Sequence, residues 1–111
     1  MIAEGKIVAI AGQIGWDPIT EELVSADFVQ QSRQALANVI SSLEAAGGKP
    51  QNLVRLTWYL TDRTEYLSHL KELGAAYREE VGSYYPAMSV VIVAGLLEEG
   101  AKVEIEALAV L

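Results

Sequence analysis

Apolar positions along the chain follow two different spacings, which predicts both strands and helices. Residues 6–12, KIVAIAG, form a short apolar run that is rich in β-branched residues and ends in glycine, as a strand does. Residues 27–48 place apolar side chains at steps of three and four, the period of an amphipathic helix. Asp27 and Gln30 resemble a capping box at its start, and the glycine pair 47–48 is typical of a helix C-terminus.

The second half of the chain repeats this order and then adds strands. Residues 52–61, NLVRLTWYLT, alternate as in a strand with two partly apolar faces. Asp62 and Glu65 resemble another capping box, which predicts one continuous helix that ends at Gly82. Residues 87–95, AMSVVIVAG, are almost continuously apolar, which is typical of a strand covered on both sides. A further strand before residue 5 is left open.

The closing segment raises the question of what covers the sheet. Residues 102–111, KVEIEALAVL, alternate as a strand with one apolar face. Its opposite face carries two carboxylates followed by two apolar residues, Glu104, Glu106, Leu108 and Val110. Right-handed crossovers would place both predicted helices on the same face of one sheet. The other face then has no element left to cover it, so we expect copies of the chain to pack their sheets together in a closed ring.

Length and charge narrow the class of protein. A chain of 111 residues predicts a single domain over residues 1–111. It contains no cysteine, which excludes disulfides, thiolate metal sites and a cysteine nucleophile. Fifteen acidic against eight scattered basic residues give a formal net charge of −7, which argues against binding to nucleic acid or to anionic membranes. No apolar stretch approaches the roughly 18 to 20 residues of a membrane span, and we expect a cytoplasmic protein.

Few residues offer chemistry. The sequence has no nucleotide-binding, zinc-protease or hydrolase-elbow motif, and we interpret its only histidine, His69, as a solvated surface residue. No carboxylate cluster is apparent, so no metal site is predicted. Glu104 is a candidate for holding or deprotonating a water in a cleft between subunits. Glu106 is interpreted as reaching water or pairing with Arg55 or Lys102.

The aromatic residues leave two interpretations open. Tyr84 and Tyr85 could fill a subunit interface or form the floor of a ligand pocket with a ring face and a hydroxyl. Trp58 alternates with apolar strand residues, which favours core packing. Trp16 follows the first predicted strand in a loop and is therefore the better pocket candidate.

Four segments together resemble the RidA/YjgF family, formerly called L-PSP endoribonucleases. They read GKIVAIAGQIGWDP, QSRQALANVISSLEAAGG, LVRLTWYLTD and PAMSVVIVAGLLEEGAKVEIEALAV, in the order and spacing of that family, and cover nearly the whole chain. The resemblance implies an α+β, chorismate-mutase-like fold, a mixed sheet with two helices on one face. It also implies a homotrimer with three clefts between subunits, and hydrolysis of reactive enamines and imines to a carbonyl compound and ammonia without metal or organic cofactor.

The resemblance also assigns roles within the cleft. Glu104 matches the glutamate that positions the attacking water, and Gln13, Trp16 and Tyr85 are expected to shape the cleft. Two substrate-contacting positions depart from the family. The family motif PARS reads PAMS here, so Met88 stands in place of the arginine that clamps the substrate carboxylate. The family motif SGQ reads AGQ here, so Ala11 stands in place of the serine. On helix two, Leu70 aligns with an asparagine that borders the cleft.

These departures bear on the function. A thioether donates no hydrogen bond, so Met88 cannot replace a bidentate clamp on a carboxylate, and we expect a less polar substrate. The alternative is a trimer that binds a small ligand without chemistry. A ribonuclease follows only from the older family name and conflicts with the acidic charge, and chorismate mutase activity rests on fold analogy alone. The substrate, the presence of any catalysis and the native start are left undetermined.

Overall fold

The computed structural model describes residues 1–111 and contains one four-stranded sheet with helices on one side of it. The strands are β1 (Ile7–Ile14), β2 (Leu53–Leu60), β3 (Ala87–Ile92) and β4 (Val103–Val110). The α-helices are α1 (Phe28–Ala45), α2 (Arg63–Ser68) and α3 (Leu70–Glu80), and a 3₁₀ turn over Pro50–Asn52 precedes β2.

The sheet is mixed, with the strand order β1-β4-β2-β3. Strand β4 lies antiparallel to both β1 and β2, whereas β3 runs parallel to β2. Strand β1 carries an irregularity between Ile10 and Gln13, where its register with β4 shifts. The α+β fold with a mixed sheet is confirmed, and the predicted order of strands and helices is correct.

The core lies between the sheet and the helices. Ile105 of β4 and Leu56 of β2 are fully buried against Leu36 and Leu43 of α1, and they belong to one continuous cluster. Trp58 belongs to the same cluster, as its alternation predicts. Each fully buried aliphatic side chain contributes about 1.5–3 kcal/mol, so this face of the sheet provides most of the stability of the chain.

Only the N-cap half of each predicted capping box is present, and the backbone N–H of Asp27 donates to Ser25 Oγ instead of to Gln30. The Asp27 carboxylate accepts a hydrogen bond from the backbone N–H of Gln30 at 2.9 Å, and Asp62 accepts one from Glu65 at 3.0 Å. These bonds satisfy backbone donors that a helix leaves free in its first turn.

The predicted continuous second helix is wrong, because the chain breaks at His69 into α2 and α3. His69 adopts non-helical backbone angles, its Nδ1 lies 2.7 Å from the carbonyl oxygen of Glu65, and its ring packs edge-on to Phe28 of α1. The interpretation of His69 as a solvated surface residue is also wrong, since the side chain is half-buried. The break thus lies where the His69 ring contacts both α1 and the last turn of α2.

The face of the sheet opposite the helices is uncovered in the single chain, and we call it the open face. Leu108 of β4 is 38% exposed there. The edge strand β3 is exposed along most of its length, so the expectation of cover on both sides is wrong for one chain. No strand precedes residue 5. None of the helices is long and apolar enough to cross a membrane.

Candidate functional site

Glu104 lies half-buried on the open face, at the end of the sheet where β4 begins. Its neighbours in the pairing are Ile14 on β1 and Tyr59 on β2. The carboxylate packs directly against Gly12, because a Cβ at that glycine would stand 2.4 Å from Glu104 Oε2. Any larger residue at position 12 would displace the carboxylate, so Gly12 makes the room in which Glu104 sits.

The Glu104 carboxylate opens into a cavity of about 370 Å³, which we call the Glu104 cavity. Its lining comes from the end of β1, the loop that follows it and the loop before β4, namely Gly12, Ile14, Trp16, Glu21, Leu23, Leu97, Glu98 and Glu104. Trp16 lines this cavity, and its indole N–H donates to Gln13 Oε1 at 3.4 Å. Gln13 in turn donates to the carbonyl of Ala11 at 3.1 Å.

A fully buried amide on α1 joins the two loops that wall this cavity. Gln31 Nε2 donates to the carbonyl oxygens of Ser25 at 2.9 Å and Gly100 at 3.0 Å, and Gln31 Oε1 accepts from the backbone N–H of Lys102 at 2.8 Å. Gly15 allows the loop to approach, since a Cβ there would lie 2.4 Å from the Gln31 Cα. Gln31 was missed by sequence reasoning.

A second buried amide, also missed, holds the Trp16 segment. Asn38 Nδ2 donates to the carbonyl oxygens of Ile14 at 3.2 Å and Trp16 at 2.9 Å, and its Oδ1 accepts from Gln34. The available signal was an amide on the apolar stripe of α1, because a polar group at such a position needs a partner when it is buried.

A different cavity lies on the helix-covered side of the sheet, and we call it the aromatic cavity. It measures about 220 Å³ and is lined by uncharged residues, Trp58, Tyr66, Leu70, Leu73, Gly74, Tyr77, Tyr85, Met88 and Val90. Met88 faces this side because it pairs in register with the buried Leu56. The Tyr77 and Tyr85 rings stack at 4.9 Å between centroids, and Tyr85 is 56% exposed.

The polar side chains in and around the aromatic cavity differ in their hydrogen-bond partners. The Tyr77 hydroxyl donates to the carbonyl of Tyr84 at 2.6 Å, and burial, together with the neighbouring Tyr85, raises the pKa of Tyr77. The Tyr84 hydroxyl in turn donates a hydrogen bond to the backbone carbonyl of the buried Leu53. Trp58 Nε1 is buried and has no hydrogen-bond partner. A buried donor without a partner costs about 1–3 kcal/mol.

The open face contains a third cavity, of about 390 Å³. Its lining includes Ala11, Arg55, Glu106 and Leu108. The Tyr59 hydroxyl donates to Glu106 Oε1 at 2.5 Å, and this hydrogen bond to a carboxylate, followed by partial desolvation and the negative charge nearby, raises the pKa of Tyr59.

Of the two predicted partners of Glu106, only one lies near it. Arg55 shares this cavity with Glu106, whereas Lys102 lies 3.4 Å from Glu65 instead. The partner that the structure adds, Tyr59, comes from the neighbouring strand β2.

The candidate residues are therefore divided between the two faces of one sheet. Glu104 and Trp16 line the same cavity, whereas Gln13 pairs in register with Ile105 of the covered face and reaches this cavity only through its hydrogen bond with Trp16. Met88 and Tyr85 lie on the covered side, and Ala11 lines the third cavity. No three His, Asp or Glu side chains converge in an arrangement that could hold a metal ion.

Comparisons with known proteins agree with this architecture. A family model described as endoribonuclease L-PSP matches residues 1–111. The chain is 37% identical over 108 residues to a RutC family protein of Pyrococcus horikoshii, covering 97% of this chain and 82% of that protein. It is 38% identical over 106 residues to the 2-iminobutanoate/2-iminopropanoate deaminase of Escherichia coli, covering 96% of this chain and 80% of the deaminase.

Solved structures give the same result. The crystal structure of RidA from an Antarctic Psychrobacter species superposes with a TM-score of 0.81 at 35% identity, covering 99% of this chain and 85% of that one. The likeness extends over the whole sheet and its helices, and relatives with this fold include proteins named as imine deaminases. The chain belongs to the RidA/YjgF family of L-PSP proteins.

Proposed function

We propose that this protein hydrolyses a small reactive imine or enamine that is less polar than an amino-acid-derived one. The observation that carries the proposal is the Glu104 carboxylate, which is half-buried above Gly12 and faces a cavity of about 370 Å³. A carboxylate in a partly closed cavity is able to hold a water and to accept a proton from it. Relatives named as imine deaminases support the reaction class.

The reaction requires few groups. Water adds to the carbon of the C=N bond, its oxygen forms the new C–O bond, and a proton passes to the nitrogen, which gives a carbinolamine. Collapse of the carbinolamine breaks the C–N bond, releases ammonia and leaves the carbonyl compound. We assign to Glu104 the holding of the water and the transfer of its proton, with Trp16 shaping the wall beside it and Gln13 holding the Trp16 indole through a hydrogen bond.

We further propose that a complete site forms between two copies in a homotrimer. Met88 and Glu104 lie on opposite faces of the sheet, so one copy does not bring them together. The open face also leaves Leu108 and Ile7 exposed, and covering this surface is the driving force for assembly. The ligand then sits in the inter-subunit cleft, between Glu104 of one copy and Met88 with Tyr85 of the next.

Met88 sets the expected specificity. Because a thioether offers neither charge nor a hydrogen-bond donor, it does not compensate a substrate carboxylate for lost water. Met88→Arg should therefore move the preference toward imines that carry a carboxylate, by roughly tenfold or more. The measurement is ammonia release over a panel of imines with and without a carboxylate. A wild-type preference for carboxylated imines would contradict this interpretation.

The catalytic assignment has a matched control on the same strand. Glu104→Gln should abolish ammonia release while the oligomer, followed by ultracentrifugation, persists. Glu106→Gln changes the next acid on the same face of β4, which is bonded to Tyr59 instead, and should retain most of the turnover. Unchanged turnover in Glu104→Gln would remove the assignment.

Mixed oligomers test the placement of the site between copies. Glu104→Gln and Met88→Asp chains are each expected to be inactive alone. Refolded together in equal amounts, they should recover about one quarter of the wild-type activity, because that fraction of clefts then combines an intact Glu104 with an intact Met88. No recovery, with mixing verified by mass, would show that both residues act within one copy or do not share a site.

A non-catalytic ligand-binding trimer is the second candidate. The uncharged lining of the aromatic cavity and the absence of an arginine at position 88 favour it. A compound that raises the melting temperature and is recovered unchanged, with no imine hydrolysed, would support this alternative. The single-domain organisation over residues 1–111, the cytoplasmic location and the lack of cofactor, nucleic-acid and membrane partners stay predictions.

A further inference from the structure

The third cavity, on the open face, contains one positive and one negative side chain that do not form an ion pair with each other. Strand β4 runs along its floor, with β1 on one side and β2 on the other. The side chains that line it on the open face are Ala9, Ala11, Arg55, Thr57, Glu106 and Leu108. All of them belong to one copy, so a single chain builds the whole cavity.

The positive side chain, Arg55, has no anionic partner within the chain. The cations of the ion pairs are Arg33 and Lys102, and Arg55 takes part in none of them. A guanidinium carries its N–H donors in a fixed fork, which fits a carboxylate through two parallel hydrogen bonds. Arg55 is therefore free to bind a carboxylate that comes from outside the chain.

The negative side chain, Glu106, is half-buried and has one carboxylate oxygen left over. Its Oε1 accepts a hydrogen bond from the Tyr59 hydroxyl at 2.5 Å, and its Oε2 accepts none within the chain. Glu106 pairs in register with Thr57, and Arg55 is the next residue of β2 on the same face. Diagonal neighbours of this kind lie about 7–8 Å apart, so one small molecule can reach both charges.

We propose that the third cavity binds a small zwitterion, an α-amino acid with a short apolar side chain, whose carboxylate pairs with Arg55 and whose ammonium group pairs with Glu106. The exposed Ala9 and Ala11, together with Leu108, provide the surface for its side chain. The ligand has no net charge, so the formal net charge of −7 does not repel it as it repels a simple carboxylate. The inference goes beyond the proposed function, because it uses no residue of the other two cavities.

Assembly of copies bears on this site, because the proposed trimer covers the open face. A covered ligand would be held more tightly, since charges attract more strongly away from water. A covered guanidinium without an anion would be costly, so Arg55 then needs a partner. The competing occupant is a neighbouring copy, whose own Glu106 would pair with Arg55 and leave no room for a free amino acid.

Three probes of similar shape separate the contributions of the two charges. Valine carries both charges, 3-methylbutanoate lacks the ammonium group, and isobutylamine lacks the carboxylate. Titration calorimetry on the assembled protein at millimolar ligand concentration measures their affinities in one buffer. We expect valine to bind roughly tenfold more tightly than either of the others, because each of them has lost one charge-assisted hydrogen bond.

Substitutions assign each charge to its residue. Arg55→Met removes the cation from an exposed position and should lower the affinity for valine to that for isobutylamine. Glu106→Gln keeps an amide oxygen for the Tyr59 hydroxyl and should lower it to that for 3-methylbutanoate. Arg63→Met is the matched control, because Arg63 is also exposed but lies on α2, on the helix side of the sheet. It should bind valine as the wild type does.

A second kind of variant keeps the proposal testable if Arg55→Met does not fold. Ala9→Leu fills the cavity from an exposed position on β1 and should block valine. Equal affinities for the three probes, an unchanged ranking in Arg55→Met, weaker binding in Arg63→Met, or undiminished binding in Ala9→Leu would each overturn the inference. Absence of valine binding to the wild type would also overturn it. If Arg55→Met then dissociates the oligomer in ultracentrifugation, the neighbouring copy is the occupant.

Discussion

The two faces of the sheet differ in what they contribute. On the helix-covered face, Ile105 of β4 is fully buried, whereas Leu108 on the open face of the same strand is 38% exposed. The covered face holds a continuous apolar core, and the open face mixes apolar residues with Glu104, Glu106 and Arg55. Successive residues of a strand point to opposite faces of the sheet. A residue that stabilises the fold is therefore followed directly by one that is available for chemistry or assembly.

The two candidate cavities repeat this contrast. The Glu104 cavity has carboxylates from Glu21, Glu98 and Glu104 and lies against the open face. The aromatic cavity has no charge and lies at the edge of the covered face. A trimer that brings one against the other would combine a carboxylate that handles water with an apolar surface that binds the rest of the substrate.

Truncating the same residue type on each face tests the division directly. Leu56→Ala, on the covered face, should lower the free energy of unfolding by about 2–5 kcal/mol, because it leaves a cavity in the core. Leu108→Ala, on the open face, should cost less than about 1 kcal/mol per chain and instead weaken assembly. Urea denaturation and sedimentation measure the two effects. Similar losses of stability in both variants at low concentration would contradict the contrast.

Filling the space beneath the carboxylate tests the function of the open face. Gly12→Ala should lower turnover by roughly 100-fold, because the new methyl group displaces Glu104 by about an ångström or more. Gly95→Ala is the matched control, since a Cβ there meets nothing within 4 Å and turnover should not change. The comparison uses kcat for ammonia release at equal oligomer content. Full activity in Gly12→Ala would show that the position of Glu104 is unimportant.

Removing a buried amide tests how the covered face supports the site. Gln31→Leu keeps the volume but leaves two carbonyls and one N–H without their partner, and should cost about 2 kcal/mol or more. Turnover should fall together with stability, because the loops around the Glu104 cavity lose their link. Gln30→Ala, at the exposed neighbouring position, should change the free energy of unfolding by less than about 0.5 kcal/mol. Equal stability of the two variants would refute the linking role.

Alkaline pH should affect both faces through their tyrosines. The folded state raises the pKa of Tyr59 on the open face and of Tyr77 on the covered face above the ordinary value of 10.0. Because the folded state then holds protons that the unfolded state has released, stability is complete below about pH 10 and is lost as the pH rises through the folded pKa values. Urea midpoints between about pH 8 and pH 11 should show this decline.

Single substitutions assign the alkaline loss to each face. Tyr59→Phe and Tyr77→Phe should each make the decline with pH shallower, because the titrating hydroxyl is absent. Their stabilities near neutral pH also differ from that of the wild type through lost hydrogen bonds, so the slope with pH is the quantity to compare. A slope that neither substitution changes would mean that other groups cause the decline.

Local signals in the sequence were sufficient for most of the fold. The caps at Asp27 and Asp62 form within one turn of chain, and the alternation in residues 102–111 follows from strand geometry alone. The break at His69 was not predictable in this way, since no glycine or proline marks it and the ring contact found there is with Phe28, far away in sequence. The exposure of β3 also depends on its place at the edge of the sheet, which no property of the segment itself reveals.

For the candidate site, the sequence by itself determined which chemical groups exist: an acid at position 104, no cysteine, and a thioether at position 88. Only the tertiary structure decided their placement. It set Glu104 over Gly12, linked the surrounding loops through Gln31, and put Met88 on the other face, in a cavity that Trp58 and Tyr77 also line. The physical reason is that strand register and helix packing bring distant residues together, and neither is encoded in the spacing of any one segment.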